Sequence, residues 1–194
     1  MKINRRAFTL TGGAFTLAFL SGNDIVTLSP SEAKAHNIPF QKITAKQARL
    51  IDILGDGIVP GANESGLTHY IDHQLSSTTE DNLMILRYLR VSPPFDGFYN
   101  SALTAFEGAI KKHFGKSPEQ LTKAEVTEFI PLMMRQNPDG WSESDKNAPP
   151  APFFYFVLRS DAIDVTYGSM EQFDSLDIPY MAHIEPNHRW EIAK

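Results

Sequence analysis

Between Thr44 and Tyr167 the apolar residues recur three and four positions apart, and almost no stretch alternates apolar with polar. A spacing near 3.6 buries one stripe of a helix, whereas a half-buried strand needs period two. The pattern predicts an all-α body of about six helices. Thr44-Ala45-Lys46-Gln47 has the form of a capping box, in which two orphan backbone donors are satisfied reciprocally. Leu50, Ile51, Leu54 and Ile58 follow on one face, and Pro60-Gly61 ends the run. Leu67, Tyr70, Ile71 and Leu75 predict a second, shorter helix. Thr79 or Asp81 would cap a third, with Leu83, Leu86 and Leu89 on its face before Pro93-Pro94. A longer helix is expected from Phe95 to Phe114, with Gly115 as its stop. Thr122-Lys123-Ala124-Glu125 is a second capping box; it opens a helix with Val126, Phe129, Ile130 and Met133, which Pro131 should kink or interrupt. Residues 137–152, with four prolines, read as a structured loop, and Phe153 to Tyr167 as an apolar segment. From Gly168 to Trp190 helical periodicity is lost, which predicts an extended tail.

The 194 residues suit one compact domain with an appendage. The net charge is −5; residues 1–35 hold four basic and two acidic groups, so without them 18 basic against 23 acidic becomes 14 against 21. An acidic body has no electrostatic reason to track nucleic acid or an anionic lipid face. With no cysteine, the chain excludes disulfides within itself, thiolate-ligated clusters and thioether-attached haem.

The N-terminus has the layout of an export leader. A basic start precedes an apolar stretch of about fourteen residues ending at Leu20, too short for the roughly 20 residues that span a bilayer. Arg5-Arg6-Ala7-Phe8 resembles a twin-arginine signal, although Asn4 and Thr9 depart from the usual pattern. Thr11-Gly12-Gly13 and Thr16 keep the stretch only mildly hydrophobic, and Ala33-Lys34-Ala35 offers a small-x-small cleavage site. An ordinary secretory leader with two chance arginines, or a basic tail, is the competing reading. Twin-arginine export is favoured, which divides the chain into a leader over 1–35 and a helical domain over 36–194. No apolar run elsewhere in the sequence reaches spanning length either.

Little in the sequence points to chemistry. Gly55-Asp56-Gly57 follows no predicted strand, and no phosphate-binding glycine motif exists, so it reads as helix-end punctuation. His69 and His73 lie four apart with Asp72 between them, but a zinc site needs a third ligand, and solvated or core histidines are the favoured reading. His183 and His188, with Glu185 and Arg189, could serve acid–base chemistry; a tail anchored by Tyr180 and Trp190 is preferred. Hence no catalytic, cofactor-binding or metal residue is assigned. Phe153-Phe154-Tyr155-Phe156 is different. Consecutive helical residues point about 100° apart, so one core face cannot bury all four rings. One or two must meet a second layer of this chain or a partner protein.

On these residues the chain resembles the gluconate 2-dehydrogenase subunit 3 family, the small subunits of periplasmic FAD-dependent sugar and alcohol dehydrogenases. The resemblance runs from about Thr44 to Trp190. It rests on Leu54-Gly55-Asp56-Gly57-Ile58-Val59-Pro60, on Gly66 through Asp72, on Phe153-Phe154 to Gly168, and on Ile178-Pro179-Tyr180-Met181-Ala182-His183-Ile184 to Trp190. It implies a complex in which a large glucose-methanol-choline-type subunit carries FAD and a multihaem cytochrome subunit carries haem c. It also implies that the small subunit brings the leader read by the twin-arginine translocase, so that the folded flavoprotein reaches the periplasm with it. Specificity for the sugar or alcohol would lie in the large subunit. A stand-alone periplasmic metal-binding enzyme and a scaffold module for another complex are the competing functions.

Overall fold

The computed structural model describes residues 16–22, 24–168 and 176–177. Among the described residues a two-stranded antiparallel hairpin comes first, β1 (Leu17–Ser21) and β2 (Asp24–Leu28). Seven α-helices follow it among these residues: α1 (Pro30–Ala35), α2 (Ala45–Ile58), α3 (Leu67–Ser76), α4 (Asp96–Phe114), α5 (Lys123–Arg135), α6 (Trp141–Ser144) and α7 (Ala151–Tyr167). Helix α2 is central and packs against α3, α4, α5 and α7. Its Leu50, Ile51 and Leu54 are buried, as the spacing predicted. No helix among the described residues is long and apolar enough to cross a membrane.

Both capping boxes form. Thr44 N donates to Gln47 Oε1 at 2.8 Å, and Gln47 N to Thr44 Oγ1 at 3.3 Å. Thr122 N donates to Glu125 Oε2 at 2.8 Å, and Glu125 N to Thr122 Oγ1 at 3.3 Å. Thr122→Ala removes one half of the second box and should destabilise the fold by about 1 kcal/mol, read from the urea midpoint. Pro131 does not interrupt α5. It sits on the exposed side of the helix, where the carbonyl left without its donor meets water, while Phe129, Ile130 and Met133 face inward.

The described residues are mostly helical, in rough agreement with the all-α expectation, and the sheet among them is the hairpin, which lies within the span 1–35 and outside the helical body. In β1, Leu17 and Phe19 face the core and Ala18 and Leu20 face out. All four are apolar, so the alternation was invisible as a change of polarity. The expected third helix is replaced by a loop with one 3-10 turn, Ile85–Tyr88. Its start is taken over by side chains: Asn82 Nδ2 donates to Gln74 O at 2.7 Å, Leu83 N to Gln74 Oε1 at 2.7 Å and Met84 N to Asn82 Oδ1 at 2.9 Å. Polar side chains that satisfy nearby backbone groups compete with helix formation in this way. Finally, the loop 137–152 holds the short helix α6 and the start of α7. Its Trp141 is fully buried and donates from Nε1 to Pro149 O at 2.9 Å.

Helix α6 lies on the backbone of α4. A Cβ at Gly108 would stand 1.6 Å from Ser144 Oγ, and one at Gly140 would stand 2.8 Å from Lys112 Cβ and 2.9 Å from Gly108 O. Only hydrogen at these positions lets the two helices meet so closely. Gly55 and Gly57 do a similar thing in α2. A Cβ there would meet Leu67 and Val126 at 2.4 Å each, so they are packing positions within the helix and not its punctuation.

Candidate functional site

Helix α7 brings the four consecutive aromatics onto three different surroundings. Phe154 is fully buried, with ring centroids 5.9 Å from Tyr99 and 6.2 Å from Trp141. Phe153 stacks edge-on against Phe98 at 5.6 Å. Tyr155 is half-buried, and Phe156 points outward with 46% of its surface exposed. A single helix cannot hide adjacent rings on one side, and the outward ring is the geometric remainder. The turn Ile85–Tyr88 packs against the same helix and holds Tyr88, 74% exposed, with the Arg87 guanidinium 5.9 Å over its ring. Exposed aromatics and arginine are the residue types that dominate protein interfaces.

Beneath the outer face of α7 lies a polar cluster that the sequence did not disclose. Asp161 is fully buried, and its Oδ2 accepts from Tyr99 OH. Oδ1 has no hydrogen-bond partner among the described residues. Burial, reinforced by the charge of Asp164, lifts the Asp161 carboxyl from 3.8 to about 7, against the pull of the Tyr99 bond. Burial and the neighbouring carboxylate push the Tyr70 and Tyr99 hydroxyls up as well. The available signal was positional: Asp161 stands seven residues after Phe154, in line with the stripe of Phe154, Val157, Leu158 and Val165. These groups are closed off from solvent and serve the fold.

The histidine pair is likewise committed. Asp72 accepts backbone hydrogens from Gln41, Lys42 and Ile43 at 2.9, 2.8 and 2.8 Å, which fastens the segment before α2 onto α3. His69 donates from Nε2 to Ile38 O at 3.1 Å and packs on Phe40. His73 hydrogen-bonds the backbone of Ala18 and meets Phe19 edge-on at 5.2 Å. Burial lowers both imidazoles below their ordinary value. Among the described residues no group of three His, Cys, Asp or Glu could hold a metal ion.

An open cleft of about 580 Å³ lies where α2, the 60–66 loop and the start of α5 meet; Asp52, Asp56, Glu64 and Lys123 are on its walls. Thr68 Oγ1 donates to Asp52 Oδ1 at 2.6 Å, and Asn63 N to Asp56 Oδ1 at 2.9 Å. Burial raises Asp52 in spite of the threonine bond. With two of its carboxylates tied into the fold, the cleft presents an acidic, solvated rim and no assembled acid–base pair. Arg5, Arg6 and Phe8 of the expected leader lie outside the described residues, as do Tyr180, His183, Glu185, His188, Arg189 and Trp190 of the expected tail.

The family described as gluconate 2-dehydrogenase subunit 3 matches residues 45–178, from the first residue of α2 to beyond α7. The chain belongs to this family. The gluconate 2-dehydrogenase subunit 3 match covers more than half of the sequence and takes in the central helix, the cleft, the Asp161 cluster and the aromatic run. The hairpin and α1 precede it. The family name makes the chain a small subunit of a dehydrogenase complex. No curated protein and no solved structure matches it.

Proposed function

We propose that this chain is the non-catalytic small subunit of a periplasmic FAD-dependent, glucose-methanol-choline-type dehydrogenase, and that it escorts the folded large subunit through twin-arginine export and stabilises it afterwards. The observation that carries the reading is the family match over α2–α7. Two features of the chain support it. Asp72 and His69, which the sequence offered as candidates for metal binding, hold segments of the body together. Its outward aromatic, Phe156, stands on the helix that the match includes. FAD would sit on the large subunit and haem c on a cytochrome subunit; neither is assigned to residues here.

Export is tested by changing Arg5→Lys together with Arg6→Lys. The flavoprotein should then accumulate in the cytoplasm, with its periplasmic activity falling at least about tenfold. If it still arrives in the periplasm undiminished, the escort role is wrong. Purification through a tag on this chain should bring down a companion with a flavin absorption band, and a colourless, solitary chain would remove the complex.

A further inference from the structure

We infer that residues 17–35 are a permanent part of the folded protein, so that the Ala33-Lys34-Ala35 triplet is a structural element and not a processing site. Helix α1 is built as an ordinary helix of the domain. Ser29 caps it: Ser29 N donates to Glu32 Oε2 at 2.7 Å, and Glu32 N to Ser29 Oγ at 3.2 Å. Ala33 is fully buried and its carbonyl accepts from Ile38 N at 2.9 Å. Lys34 Nζ reaches across to the 60–66 loop and donates to Asn63 O at 2.8 Å and to the Asn63 side chain.

The body is shaped to receive this helix. Gly66 caps α3 with a φ of +83°, and a Cβ there would stand 2.1 Å from Pro30 O and 2.7 Å from Ser31 N. Both are backbone atoms, which cannot swing aside as a flexible side chain can. The positive φ already favours glycine at this point, and the backbone of α1 adds a second requirement, because no side chain fits at Gly66 while α1 rests on it. The hairpin docks alongside, with Phe19 only 4% exposed against His73 and Leu17 also in the core. Proteolysis concentrates at exposed, weakly held chain. Cutting after Ala35 would first require α1 to unwind and Ala33 to leave the core. Any removal of the leader therefore falls before Leu17.

The inference does not depend on the dehydrogenase reading, and its test is read separately. The chain is purified in its native complex, and its N-terminus is determined by intact mass and sequencing. A start at or before Leu17 is expected; a start at His36, or anywhere else after Leu17, overturns the inference. Two full-length variants then ask whether the hairpin belongs to the fold. Phe19→Asp should lower the melting temperature by roughly 5–10 °C. Ile25→Asp, at a position 67% exposed on the same hairpin, should leave it within about 1 °C. Equal, negligible effects of the two would show that the segment lies outside the fold, wherever the chain begins.

Discussion

Asp161→Asn should flatten the dependence of stability on pH between about 4 and 7. The wild-type carboxyl is held up at about 7 by burial, against 3.8 when free. Within that window the folded chain keeps a proton that the unfolded chain has released. Stability is then fully present below the unfolded value and falls as pH rises through the folded one. A shift of this size corresponds to a loss on the order of 4 kcal/mol across the window. Asparagine carries no charge at any of these pH values, and its amide oxygen can still accept from Tyr99. The variant should consequently lose less stability than wild type between pH 5 and pH 8. Other groups titrate in the same range: burial raises Asp164 and Asp52, and lowers His69 and His73, whose contribution has the opposite sign. Both proteins share them, so the difference between the two urea-derived curves isolates Asp161. Parallel curves would show that the buried carboxylate does not titrate there.

Phe154→Ala and Phe156→Ala, two positions apart, should fail in opposite assays. Phe154 is enclosed by Phe98, Tyr99 and Trp141, and its truncation leaves a cavity in the core. Such changes cost about 3–5 kcal/mol, which lowers the melting point by roughly 10 °C or leaves the chain insoluble. Phe156 has little to lose on folding, and its truncation should change stability by less than about 0.5 kcal/mol. If it is an anchor for the large subunit, the dissociation constant of the complex should rise about 30-fold, or roughly 2 kcal/mol. Unchanged affinity would relieve Phe156 of any docking role and direct attention to Tyr88.

How much of this was legible depended on whether one physical cause governed a segment. Helix α2 was readable because cap, stripe and stop agree within it, α4 from its stripe and the Gly115 stop, and α5 from its cap and stripe in spite of Pro131. The aromatic run was readable in part: helical geometry required a ring to face outward, but which ring depended on where α4 lay. The loop after α3 misled because leucines at helical spacing say nothing about Gln74 and Asn82, which capture the backbone groups that such a helix needs. At the N-terminus, the apolar residues of β1 satisfy the description of an export leader and of an edge hairpin equally well. Only the partners on α3 distinguish them, and those lie some fifty residues away in the chain. Asp161 stayed hidden because a carboxylate is expected to face water, and its place on an inward stripe has meaning only once Tyr99 is seen opposite.

The glycine contact between α4 and α6 has a mechanical consequence. A four-residue helix has almost no stiffness of its own, yet here it is clamped to a nineteen-residue one, backbone against backbone. Trp141 then ties the clamp to Pro149, at the threshold of α7. A load pressed onto the outer side of α7 would therefore travel through solid contact into the longest helix among the described residues, and the connecting stretch would behave as a bracket and not as a hinge.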